Sequence, residues 1–143
     1  MYTNIDTTHG LEVICLWLEH LRKEGKIDES YPIAYILELA ELVMRNNHFI
    51  FGNTVWLQLT VIAMGTQAAC IYATIYYKWK ELKVILPEYR RYLPLLAWFI
   101  NDFAGVWIND GCVKFEDFKK ELNNYGPNLL KWEVSDLSSK INM

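Results

Sequence analysis

Leu95-Leu96-Ala97-Trp98-Phe99-Ile100-Asn101-Asp102-Phe103-Ala104-Gly105-Val106-Trp107-Ile108 sets two apolar, aromatic-rich runs on either side of one polar dipeptide. Runs of this length fit two largely buried strands, and Asn-Asp tolerates the positive φ angles of a tight turn. The stretch therefore predicts a β-hairpin with Asn101-Asp102 as its two-residue tip. A carboxylate displayed between packed strands has a fixed position, which suits a hard cation of strict geometry such as Mg²⁺. Asn-Asp is also ordinary turn chemistry, so a purely structural hairpin is the plain alternative.

Composition bounds what such a hairpin can belong to. The chain has 143 residues, 52% hydrophobic, 15% aromatic and 22% charged, which is one domain in length with enough apolar content to bury a core. A net charge of −3 argues against a free-standing nucleic-acid binder, since such proteins gather Lys and Arg against phosphate. Cys15, Cys70 and Cys112 are far apart, odd in number and without a Cys-x-x-Cys pair, which points away from a disulfide framework or zinc site and towards a reducing, intracellular compartment. His9, His20 and His48 lack metal-ligand spacing. The polar start Tyr2-Thr3-Asn4 does not read as a secretory signal.

In chain order, Met1 to Ile5 reads as the end of a strand, and Thr7 or Thr8 caps a helix that runs to about Glu24 and stops at Gly25. A second helix is predicted from Ser30, with Pro32 in its first turn, to Asn46-Asn47. His48-Phe49-Ile50-Phe51 and Thr54-Val55-Trp56-Leu57 flank Gly52-Asn53 and predict a second hairpin. A third helix spans about Thr66 to Lys83, with Ala68, Ile71, Tyr72, Ile75, Tyr76, Trp79 and Leu82 as its inward stripe. Glu88 to Tyr92 reads as a polar junction carrying the basic pair Arg90-Arg91. Lys114 to Tyr125 makes a fourth helix with Phe115, Phe118 and Leu122 inward, and Leu129 to Val134 returns as a strand. This order implies an α+β fold, antiparallel hairpins with about four helices packed on one face of the sheet.

Val55 to Tyr77 contains no charged residue, a length that could span a bilayer as one helix. Gln58, Gln67, Thr60, Thr66 and Thr74 are scattered through it, however, and Gly52-Asn53 and Met64-Gly65-Thr66 read as turns, so no membrane span is expected.

Several of these stretches, in this order, resemble the palm region of reverse transcriptases, especially those of Penelope-like and related non-LTR retroelements. Phe99-Ile100-Asn101-Asp102 is similar to the family's aromatic-x-Asp-Asp tip, with asparagine at the first aspartate. Tyr2 matches the aromatic residue of the first catalytic motif. Phe51 to Thr60 followed by Ala63-Met64-Gly65-Thr66 resembles the template- and nucleotide-contacting motif, with Val61-Ile62 where the family usually has Gly-Thr. Phe115 to Gly126 and Leu130 to Ser135 resemble the link towards the primer-gripping hairpin. The resemblance covers nearly the whole chain. It implies a partial palm domain over residues 1–143, with the fingers and first catalytic aspartate upstream and the primer grip and thumb downstream.

The resemblance further implies an RNA-directed DNA polymerase with Mg²⁺ as cofactor, an RNA or DNA template-primer and deoxynucleotides as partners, and Asn101 and Asp102 at the catalytic positions, Asp102 as metal ligand. Tyr2 would be the gate against a 2′-hydroxyl, and Gln58, Met64 and Gly65 would contact template or nucleotide. Two-metal nucleotidyl transfer needs bridging carboxylates, and an amide at position 101 is a weaker Mg²⁺ ligand. The expectation is a retroelement-derived fragment with a degenerate site, inactive by itself. The alternative is a non-enzymatic small membrane or interaction protein built on the apolar 55–77 segment.

Overall fold

The computed structural model describes residues 5–58, 67–99, 102–109, 115–127 and 132–135. It is α+β, with four helices and two small antiparallel hairpins that form separate two-stranded sheets. The single sheet expected from the sequence is thus replaced by two hairpins, each on its own side of the third helix in chain order.

Helix α1 (Thr7–Lys23) begins at Asp6, whose carboxylate accepts from the His9 N–H at 2.9 Å. This corrects the expected Thr7 or Thr8 cap: the charged side chain of Asp6 satisfies the orphan N–H and faces the positive end of the helix. At the other end Gly25 takes φ 68°. Its N–H bonds the Arg22 carbonyl at 3.0 Å, and that of Lys26 bonds the Leu21 carbonyl at 2.9 Å, the paired closure that a left-handed glycine makes possible.

Helix α2 (Ile33–Arg45) starts three residues later than expected. Ser30 is held instead by Asp28, whose carboxylate accepts from both its N–H and its hydroxyl, a local turn that competes with helix. The first hairpin matches the sequence reading. Strands β1 (His48–Phe51) and β2 (Thr54–Leu57) pair with Phe51 opposite Thr54, Gly52 adopts φ 62°, and the Gln58 N–H closes the base on the Asn47 carbonyl at 2.8 Å.

Helix α3 (Gln67–Lys80) continues through a wide π-turn segment, Glu81–Ile85, into a last α-turn, Leu86–Tyr89. The expected polar junction therefore begins inside a helix. Pro87 has no N–H and its ring presses on the carbonyl four residues back, and the wide turn, in which the Leu86 N–H reaches Glu81, makes room for it. The inward stripe is also shifted. Ala69, Tyr72, Ala73, Tyr76 and Tyr77 are buried whereas Ile71 is 63% exposed, because α3 is covered on two sides rather than one.

Two apolar clusters result. The first joins α1 to α3 around Ile5, Val13, Ile14, Met44, Tyr72 and Tyr76. The second joins the end of α3 to helix α4 (Phe115–Asn123) around Ile85, Tyr89, Tyr92, Leu93, Phe118 and Leu122. Lys80 is buried between them, its ammonium donating to the carbonyls of Glu121 and Leu122 at the C-terminal end of α4. A cation at the negative end of a helix is favourably placed. Residues 132–135 form no strand, which corrects the expected returning strand, and residues 129–131 lie outside the described residues. Trp132 instead packs against both clusters.

Candidate functional site

The second hairpin pairs β3 (Leu95–Phe99) with β4 (Asp102–Val106), placing Phe99 opposite Asp102, Trp98 opposite Phe103 and Leu95 opposite Val106. Two residues, 100 and 101, separate the paired ends. Asp102 is thus the first residue of β4, which corrects the sequence reading of Asn101-Asp102 as the turn. A strand position ties the Asp102 backbone to Phe99 and gives its side chain the direction set by the pleat.

Alternation along the strands divides the hairpin into two faces. Leu96, Trp98, Phe103 and Gly105 share the inner face. Trp98 and Phe103 lie 5.2 Å apart by ring centroid, and Trp132 meets each of them edge-on at 5.2 Å. Tyr77 of α3 stacks on Trp98 at 6.3 Å and 22°. Asn123 fixes Trp132 by accepting from its backbone N–H and donating to its carbonyl at 3.3 Å. A Cβ at Gly105 would stand 3.1 Å from the Leu95 carbonyl and 3.4 Å from the Leu96 side chain, so glycine lets the strands close over Leu93.

The outer face carries Leu95, Ala97, Asp102, Ala104 and Val106, all exposed. The sequence expectation of two largely buried strands is therefore corrected: Leu96, Trp98 and Phe103 are half-buried on the inner face and the outer face is open. Aromatic content made both faces look alike, but the small residues Ala97 and Ala104 occupy the open side. Asp102 is presented at one end of an open outer face whose underside is anchored by four aromatic rings.

At the hairpin base the Ile108 N–H donates to the Tyr92 carbonyl at 2.8 Å, and Trp107 stacks on Tyr92 at 5.5 Å and 17°. Of the basic pair, Arg91 lies 4.5 Å over the Tyr92 ring and donates to the Tyr92 hydroxyl, while Arg90 is exposed.

Of the other residues singled out in the sequence, Gln58 follows β2 at the base of the first hairpin, whose sheet is not that of Asp102. Tyr2, Met64, Gly65 and Asn101 lie outside the described residues. Asp102 offers one carboxylate to a Mg²⁺ that needs near-octahedral oxygen coordination, and among the described residues no three His, Cys, Asp or Glu side chains gather into a metal-binding group. The donors among the described residues do not complete a magnesium site.

Sequence reasoning missed a buried polar cluster beneath α1. His9 Nδ1 lies 2.7 Å from the Tyr76 hydroxyl, and the Tyr76 and Tyr125 rings are 4.7 Å apart. Burial holds the phenols of Tyr72, Tyr76 and Tyr125 well above the ordinary tyrosine range, and desolvation lowers the Lys80 ammonium to about 8. These groups join helices to one another, and only tertiary contact reveals them. No protein-family model, curated protein or solved structure matches this chain.

Proposed function

We propose that the chain is a palm fragment of a reverse transcriptase of the Penelope-like, non-LTR type, with a degenerate catalytic site and no polymerase activity by itself. The observation that carries this reading is the β3–β4 hairpin. Its two-residue separation, Asp102 at the start of the returning strand, an inner face packed on helices and an open outer face together suit the floor of a template-primer cleft. The order of motifs around it supports the same reading, as does a first hairpin formed by the stretch that resembles the template-contacting motif.

Chemistry sets the limit on activity. Asparagine at 101 keeps the outline of aspartate but removes a full negative charge, and losses of several kcal/mol, each ~1.4 a factor of ten in rate, leave little turnover. Asp102 alone cannot bridge two metals.

The uncharged 55–77 stretch, on which the alternative reading rests, is divided between β2 and α3. No helix among the described residues is long and apolar enough to cross a membrane. Primer extension on an RNA template with Mg²⁺ and deoxynucleotides tests the proposal. Neither the purified chain nor its Asn101→Asp variant should extend the primer. Steady incorporation by the unmodified chain, abolished by Asp102→Ala, would overturn the inactive assignment.

A further inference from the structure

We propose that the groove between α1 and α2 receives a basic amphipathic helix of another protein. The inference stands apart from the polymerase reading. Two cavities, of about 430 and 340 Å³, lie between the two helices and share Cys15 and Leu37, so they form one continuous groove. Its floor is apolar, with Leu11 and Cys15 from α1 and Ile33 and Leu37 from α2. Ile33 is buried and the other three are half-buried. The groove follows α2 from Ile33 to Arg45, 13 residues or ~20 Å.

The walls set the form of the occupant. Along most of the groove they are helices, whose N–H and C=O groups bond within the helix, so an extended strand would find no backbone partner there. An occupant that satisfies its own backbone is a helix. The groove is also open along one side, whereas a small molecule is held by burying most of its surface.

Charge sets its chemistry. Residues 6–45 carry eight acidic and four basic side chains, and the rest of the chain carries nine and ten, so the net negative charge resides on the helical pair. Two groove carboxylates are neutralised in place, Glu19 by Arg22 at 3.2 Å and Glu41 by Arg45 at 2.6 Å. Glu12 and Glu38 border the same cavity, one from each helix, and have no ion-pair partner among the described residues. Lysine or arginine on either side of an apolar stripe supplies both partners. A second copy meeting groove to groove brings like charge, and the phosphates of nucleic acid or of an anionic membrane are repelled.

The test is fluorescence anisotropy of the full chain with a labelled peptide of about 18 residues, leucines at helical spacing and lysines elsewhere. Saturable binding is expected. Glu12→Gln and Glu38→Gln together should weaken it by about tenfold in Kd, while Glu116→Gln, at an exposed site on α4, leaves it unchanged. Bound peptide should shield Cys15 from iodoacetamide while exposed Cys70 reacts as before, and the same peptide with glutamate for lysine should not bind. Circular dichroism establishes that the variants fold. No saturable binding of the lysine peptide overturns the proposal. So does binding indifferent to the double variant, equal binding of the glutamate peptide, a Cys15 that stays reactive in the complex, or a homodimer in sedimentation velocity that shields Cys15 without the peptide.

Discussion

Lys80→Met should change the alkaline stability of this protein in a way that identifies a single buried proton. Lys80 is 3% exposed and its ammonium donates to the carbonyls of Glu121 and Leu122, with its charge 5.0 Å from the centre of the Tyr125 ring. Desolvation is the dominant influence and lowers its pKa from 10.5 to about 8, with Glu121 acting weakly in the other direction. Below pH 8 both folded and unfolded chains carry the charge, and the folded chain bears its burial cost. Between pH 8 and 10.5 the unfolded chain holds a proton that the folded chain has released, so stability rises with pH, by ~1.4 kcal/mol per unit where the difference is one full proton. The whole window is worth ~3 kcal/mol.

Above pH 10 the buried tyrosines act in the opposite sense, because their raised pKa values let the unfolded chain lose protons first. Tyr89, pushed up to about 12 chiefly by burial, belongs to this group. Urea unfolding at intervals from pH 7 to 11 should therefore give a stability that climbs from about pH 8, peaks near 10 and then declines. Lys80→Met should abolish the climb while keeping the decline. A wild-type curve that is flat between pH 8 and 10, or a variant that climbs equally, would refute the assignment to Lys80.

Gly10→Ala should cost about 1–2 kcal/mol even though alanine is the better helix former, because its Cβ would stand 1.9 Å from the Tyr72 hydroxyl, which donates to the Thr7 carbonyl at 3.0 Å. Adding Tyr72→Phe should recover part of that loss in thermal or urea unfolding, and a stabilised Gly10→Ala protein would contradict the packing. Trp132→Ala should destabilise the fold by about 2–3 kcal/mol, less than a fully buried tryptophan, and speed hydrogen exchange at Trp98 and Phe103. Unchanged exchange there would mean that Trp132 does not anchor the hairpin.

Local chemistry explains which parts of the fold were legible in the sequence. Gly25 and Gly52 take positive φ, so the helix stop and the hairpin turn read from those two glycines held, while the Met64-Gly65-Thr66 turn lies outside the described residues. The β1–β2 register also followed from Gly52-Asn53. Readings that depended on what lies opposite an element were less secure. Helical periodicity placed Ile71 inward, but α3 touches α1 on one side and the β3–β4 hairpin on another, which rotates its buried surface towards Tyr77 and Lys80. Asp6 was passed over as a cap because Thr7 and Thr8 fit the same rule. Neither the π-turn before Pro87 nor the role of Trp132 leaves a periodic trace. At the candidate site the hairpin and its carboxylate were legible, whereas the strand position of Asp102 and the openness of its face depend on register and on where the aromatic rings find partners.

The palm assignment is tested most directly by exchange. Residues 5–135 replace the palm segment of an active reverse transcriptase of a Penelope-like retroelement, with either Asn or Asp at position 101, and primer extension is measured with Mg²⁺. With the upstream aspartate, primer grip and thumb supplied by the host, the Asn101→Asp graft should extend the primer. The Asn101 graft should be slower by at least about a hundredfold, ~3 kcal/mol of transition-state stabilisation, and Asp102→Ala should abolish extension in both. A folded graft that stays silent with Asp at 101, or one whose extension survives Asp102→Ala, would contradict the account.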